Sequence, residues 1–380
     1  MLSKKSIYFP SLNGLRFIAA TLVFIHHFVN LKCVLLSGVE MKSSFFSPLG
    51  ATGVTLFFVL SGFLITYLLL KEYDSSLTID IKKFYIRRML RIWPLYFLTL
   101  FIYLGYGYFF NEIGHDFFLI KLVLYLFFLP NVAYILLTSG GFPSQLWSVG
   151  SEEQFYLIYP WIMKIFRKKI IIIVISVPLL LIGVRFGLLS IIINQQALIF
   201  KGINVFRFLF DFIDAFRIDC MLIGGLFALL LYNQHKYLKI LYSKKTQIIV
   251  YAFTIILIVS GFKILVINHT VFSILFGIII LNLASNSNSI LSLENNLFNK
   301  LGKISYGLYV IHPLMLDITG NYLQPSFMNT NLNSLNILLS FCVSFGLTLA
   351  LAYLSFHYFE ASFLKLKHKF SIIVSGNDVK

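Results

Sequence analysis

The sequence predicts an all-α protein that crosses a membrane many times. Three observations carry this. Hydrophobic residues make up 58% of the 380 positions and charged residues only 12%, about half the charged share of an ordinary globular chain. Apolar runs of about 18 to 25 residues, the length that crosses a ~30 Å hydrocarbon core, recur along the whole chain. Basic residues punctuate those runs instead of gathering in one patch. The formal charge of +16 therefore reads as a topology signal and not as nucleic-acid binding.

Ten spans follow in order, at about 12–36, 50–70, 85–109, 147–166, 169–191, 215–232, 246–264, 271–285, 303–320 and 336–357. A further apolar stretch, about 117–137, is ambiguous, and the positive-inside rule assigns it. If it crossed, Arg167, Lys168 and Lys169 would lie outside, as would Lys365, Lys367 and Lys369. Held at the outer interface or dipping back, it leaves these inside with Lys4, Lys5, Lys82, Lys83, Arg87, Arg88 and Arg91. Only a few basic residues, chiefly Lys42, Lys201, Arg207 and Lys263, then remain outside. The expectation is one membrane domain over 1–380, with both termini cytoplasmic and no separate soluble domain. No small-residue cleavage site follows the first run, so it reads as a retained span and not a signal peptide. Cys33, Cys220 and Cys342 lack metal-ligand spacing and read as small apolar fillers; no metal site is expected.

Polar groups inside spans are costly to bury, which makes each a functional candidate. In the first span Arg16 and His27 stand eleven positions apart. At 100° per residue they lie about 20° apart around the axis and ~16 Å apart along it, whereas His26 turns away by about 80°. The plainer reading has Arg16 reaching the headgroups and His27 bonding a neighbouring helix. In the third span Arg88 and Arg91 share one face, and arginine suits planar phosphate recognition, although both also serve as positive-inside anchors. The fourth span opens with Trp147 and carries Glu152 and Glu153. One carboxylate can cap a helix start, where negative charge is favoured. The other needs a partner, either a histidine that it orients or an arginine. His312 precedes Pro313 in the ninth span and fits a helix–helix hydrogen bond or a polar pocket equally. Glu360 reads as a salt bridge at the inner face.

Six segments in order resemble the membrane-bound acyltransferase 3 family of bacterial surface-polysaccharide O-acyltransferases. They are LNGLRFIAATLVFIHHF at 12–28, GVTLFFVLSGFLI at 53–65, FYIRRMLRIWPLY at 84–96, LWSVGSEEQFYLIYP at 146–160, SYGLYVIHPL at 305–314 and YFE at 358–360. The resemblance implies a catalytic role for His27, paired with Arg16, with Glu152 fixing charge and orientation. It implies that Arg88 and Arg91 bind acyl-CoA. Trp147, Glu153, Tyr306 and His312 are candidates for the acceptor pocket, with Trp147 and Tyr306 offered for stacking on a sugar ring. The chain departs from the family pattern at Asn13, where members often carry Asp, and at Glu360-Ala361-Ser362, where members usually read Glu-x-Pro. It resembles the stand-alone members that lack a C-terminal hydrolase-like domain.

The implied function is transfer of an acyl group, acetyl first among them, from cytoplasmic acyl-CoA to a hydroxyl of a surface polysaccharide or lipid-linked glycan. No permanently bound cofactor is implied; acetyl-CoA or another acyl-CoA is a co-substrate. The location implied is the bacterial inner membrane, multi-pass in the lipid bilayer. A membrane transporter or flippase of a saccharide is the rival. Such proteins often show paired half-repeats, and none is visible here.

Overall fold

The computed structural model describes residues 6–37, 46, 48–109, 117–137, 141–194, 196–200, 203–264, 266–320, 334–371 and 373–375. Three long helices come first: α1 (Leu12–Ser37), α2 (Leu49–Ser76) and α3 (Ile81–Phe109). Then follow α4 (Phe118–Leu126), α5 (Pro130–Leu136), α6 (Trp147–Ile165) and α7 (Ile170–Ile193). The middle of the chain forms α8 (Val205–Phe216), α9 (Ile218–Tyr232), α10 (Leu238–Leu241), α11 (Lys244–Ser260) and α12 (Asn268–Ser285). The last part contains α13 (Asn296–Lys303), α14 (Ser305–Ile318) and α15 (Ser334–Leu354). A π-helical turn at Ser355–Glu360 leads from α15 into α16 (Ala361–Lys367). Strand β1 (Ser6–Ile7) pairs in parallel with Val374–Ser375, and Ile199–Phe200 pairs with Ile203–Asn204.

The fold is an all-α polytopic membrane architecture. Among the described residues, seven helical segments are long and apolar enough to cross a bilayer. The other three stretches read as spans are α6, α11 and α14, at 19, 17 and 14 residues. The 117–137 stretch is two short helices of 9 and 7 residues. At 1.5 Å per residue neither reaches across a ~30 Å core. Pro130, which lacks an N–H and suits a first helical turn, starts the second of them. Gln154 Nε2 on α6 donates to the freed Phe128 carbonyl at 2.9 Å and so satisfies the break.

The span read at 215–232 is likewise two elements. It begins earlier, at Val205, and breaks at Arg217, whose φ of 47° is left-handed. Rings of Phe208, Phe212 and Phe216 run down one side of α8 at 6.0 and 5.6 Å. Arg207, Asp211 and Asp214 follow each other at helical spacing on another side.

α2 sits at the centre and crosses α9 very closely. A Cβ on Gly62 would stand 1.8 Å from the Met221 carbonyl, and one on Gly224 2.1 Å from that of Val59. Such backbone contact is how helices associate in lipid, where no hydrophobic effect drives them together.

Candidate active site

Two polar centres lie along α1, one at Arg16 and one at His27, about 16 Å apart by helical rise. Between them Ala19, Ala20 and Phe24 are fully buried and form an apolar collar on α1.

At the lower centre Arg16 Nη1 donates to Asn13 Oδ1, a neutral acceptor, at 3.1 Å. Arg16 lies within electrostatic reach of Arg88, Arg91, Glu152 and Tyr156. The helix face shared by Arg88 and Arg91 therefore does meet Arg16. Arg87 instead pairs with Glu72 at 2.7 Å and bonds the Phe370 carbonyl at 3.1 Å. Arg88 and Arg91 have no ion pair among the described residues. The Arg88 guanidinium lies over the rings of Phe84 and Tyr156 at 5.5 and 5.4 Å, with its buried Nε unpartnered. Both arginines line a small cavity of about 40 Å³ together with Glu72, Lys367 and Ser371.

Glu152 accepts a hydrogen bond from Tyr156, whose hydroxyl also meets Ser61 Oγ at 2.6 Å. Glu152 makes no salt bridge among the described residues; Arg16 and Arg88 lie only within electrostatic reach of it. Glu153 accepts from Trp93 Nε1 at 2.9 Å and leaves Oε1 buried and unpartnered. Glu360 bonds Ser355 Oγ at 3.0 Å and makes no salt bridge among the described residues, with Arg91 only in electrostatic reach. Tyr306 also belongs here. Its hydroxyl donates to the Ile92 carbonyl at 3.1 Å, and the ring does not line the cavity around His27.

At the upper centre His27 lines a cavity of about 550 Å³. Its Nδ1 lies 2.9 Å from the Val23 carbonyl and 3.3 Å from His312 Nε2. The Nδ1 of His312, a fully buried residue, meets the Tyr309 carbonyl at 2.6 Å. A carbonyl can only accept, so both Nδ1 atoms carry hydrogen in the neutral rings. His312 Nε2 is then a second acceptor for the His27 Nδ1–H. His27 Nε2 is left as a bare lone pair, with no hydrogen bond to any described residue. His312 is thus an interhelical hydrogen bonder to α1, fully buried behind His27 and not itself on the cavity wall.

His26 lines the same cavity despite being turned by about 80°. The cavity is wide enough to meet both sides of α1. What separates the two rings is occupancy: His26 Nδ1 meets the Phe46 carbonyl at 3.1 Å, and its Nε2 accepts from Asn30 Nδ2 at 3.1 Å. Trp147 also lines the cavity, but its ring already carries the Arg217 guanidinium at 5.2 Å and stacks with Tyr134 at 6.1 Å.

With both centres in place, the comparison with known families is decisive: the acyltransferase domain of the acyltransferase 3 type matches residues 9–357. The chain belongs to that family. It therefore carries an acyltransferase domain, one that moves groups other than aminoacyl groups. Among curated relatives, the peptidoglycan O-acetyltransferase OatA of Listeria monocytogenes is 33% identical over 193 residues, covering 48% of this chain and 27% of the relative. A putative O-acetyltransferase of Staphylococcus aureus is 35% identical over 173 residues, covering 42% and 25%. The putative peptidoglycan O-acetyltransferase YrhL of Bacillus subtilis is 33% identical over 164 residues, covering 40% and 23%. The chain spans about a quarter of the length of the curated relatives it matches. No solved structure matches it.

Sequence reasoning missed five polar residues of the acyltransferase domain on or behind the upper cavity. Gln145 and Asp214 line it directly. Arg217, also on its wall, bonds the Ala51 carbonyl at 3.0 Å and Thr55 Oγ1 at 3.4 Å. Behind it, Arg185 on α7 and Asp219 on α9 form a fully buried bidentate pair, both hydrogen bonds 2.9 Å long. A lone arginine in the apolar run of α7 was the available signal.

Proposed function

We propose that the chain is an O-acetyltransferase of a bacterial inner membrane. It takes the acetyl group from acyl-CoA on the cytoplasmic side and passes it to a glycan hydroxyl on the outer side. The observation that carries this reading is the polarised histidine pair, with His27 Nδ1 tied down and Nε2 open on a 550 Å³ cavity.

In this reading Arg88 and Arg91, without carboxylate partners of their own, hold the CoA phosphates through planar forks. The ~16 Å between the two centres suits a donor whose thioester stands at the end of a long, thin arm. Glu152 and Tyr156 brace Arg88, and Arg16 adds a third positive charge near the donor's phosphates. The acceptor hydroxyl enters the upper cavity and gives its proton to His27 Nε2. Its oxygen attacks the thioester carbonyl, the carbon–sulfur bond breaks, and the leaving thiolate takes the proton back from His27. His312 and the Val23 carbonyl hold the ring in the tautomer this needs.

His27→Ala should lower glycan acetylation at least ~10²-fold, the usual contribution of a positioned base, while the protein still accumulates in membranes. His26→Ala should retain most activity, because that ring offers no free nitrogen. Mass analysis of the glycan reads both. Full acetylation by His27→Ala would sink the assignment. A labelled acetyl group trapped on purified protein without acceptor would replace the base role with an acyl-histidine one.

A further inference from the structure

Three groups on the upper cavity have hydrogen-bonding capacity that the fold does not use. Gln145 is 3% exposed. Its Nε2 donates to the Val310 carbonyl at 2.8 Å, which fixes the amide, while its buried Oε1 has no partner among the described residues. A buried acceptor left open costs free energy unless something fills it. Arg217, 6% exposed, spends Nε on the Asp214 carbonyl at 3.1 Å and Nη1 on α2, leaving Nη2 without a hydrogen bond to any described residue. The Asp214 carboxylate likewise makes none.

The wall therefore offers open acceptors, Gln145 Oε1 and the Asp214 carboxylate, beside an open donor, Arg217 Nη2. A hydroxyl both donates and accepts, so a ring bearing several of them satisfies such a wall; a purely anionic or purely cationic group satisfies half of it. The charge on this wall also balances. Arg207 is paired with Asp211 at 2.8 Å, and Arg217 and Asp214 add one charge of each sign to the lining without an ion pair among the described residues. A ligand of strong net charge would be attracted by one of Arg217 and Asp214 and repelled by the other.

Resting on the transferase reading above, we propose that Gln145, Asp214 and Arg217 form the acceptor subsite and that it selects an uncharged, polyhydroxylated sugar residue. Trp147 acts under Arg217 as a positioning residue, holding the guanidinium from below, and does not serve as a stacking platform for the sugar.

Equilibrium binding to the purified full chain without donor tests this. The probes are a neutral hexose trisaccharide, the same trisaccharide with one uronic acid, and one with a free amine. The neutral probe should bind at least about tenfold tighter than either charged one, and Asp214→Asn or Arg217→Lys should weaken it about tenfold, the effect of one hydrogen bond to a charged group. Acetyl-CoA binding to the same variants should be unchanged. Tighter binding of a charged probe, unchanged binding by both variants, or no binding of any probe overturns the subsite. Neutral-sugar binding that is lost in Asp214→Asn, in a protein that neither binds acetyl-CoA nor transfers acetyl, keeps the subsite and overturns the transferase reading instead.

Discussion

Breaking the pair between Arg185 and Asp219 should unfold the domain at a markedly lower temperature. Both side chains are completely buried, and the carboxylate accepts two 2.9 Å bonds from the guanidinium and a third, at 3.3 Å, from Thr270 Oγ1. Asp219→Asn leaves a full positive charge on α7 with no compensating anion. Removing one partner of such a pair costs about 3–5 kcal/mol. For a chain of this size that is a drop in melting temperature of roughly 4–6 °C. Arg185→Leu should do similar damage by stranding the carboxylate. The double variant Arg185→Met with Asp219→Leu should lose less than either single one, because two apolar side chains of similar volume need no partner. Thermal unfolding of the purified protein in detergent reads all three. Arg217 opens α9 only two positions before Asp219, so the single variants should also lower acetylation. Single variants that melt with the wild type, or a double variant worse than both, would refute the view that this pair fastens α7 to α9.

Arg88→Lys and Arg91→Lys keep the charge and lose the planar fork, so acyl-CoA affinity should fall about tenfold in each; normal donor binding in both, measured by calorimetry, would reduce these arginines to topology anchors. A pH effect is expected at the clasp between the start of α1 and the segment before α13. Burial works against the charge of Glu294, but the Ser11 N–H and the side chains of Tyr8 and Asn299 outweigh it and hold the carboxyl below its ordinary range. A depressed carboxylate stabilises the folded state above its unfolded value of about 4.3 and loses that contribution as pH falls through the folded one. Amide exchange at Ser11 should therefore stay protected near neutrality and lose protection in acid; a protection factor flat across that range would contradict the clasp.

Much of the architecture was legible because lipid imposes so few solutions on a chain. Apolar runs of the right length gave most of the long helices, and charge inside such a run marked Arg16, His27, Arg88 and Arg91. The rest failed for identifiable reasons. Arg185 was just as conspicuous in its run, but its partner Asp219 lies 34 positions away, and such a pairing shows only once α7 and α9 meet. Asp214 and Arg217 fell at the edge of an assumed span, since nothing local betrays a helix that breaks at a left-handed arginine. The angular argument turns His26 about 80° away from the face of Arg16 and His27, and an angle on one helix says nothing of how wide the cavity beside it is. Tyr306 and Trp147 were both offered as sugar platforms on residue type alone. The fold gives the hydroxyl of one to α3 and the ring of the other to Arg217.

The buried collar of Ala19, Ala20 and Phe24 has an electrical consequence. A membrane under load holds a voltage, and each elementary charge that leaks across 100 mV dissipates about 2.3 kcal/mol. Were the arginines below and the histidines above joined by water, the domain would be a proton wire between the two compartments. Two alanines and a phenylalanine packed to full burial between them oppose such a path. In the transferase reading, only the thin, uncharged arm of the donor with its acetyl unit has to enter that layer, while the charged phosphates stay below it.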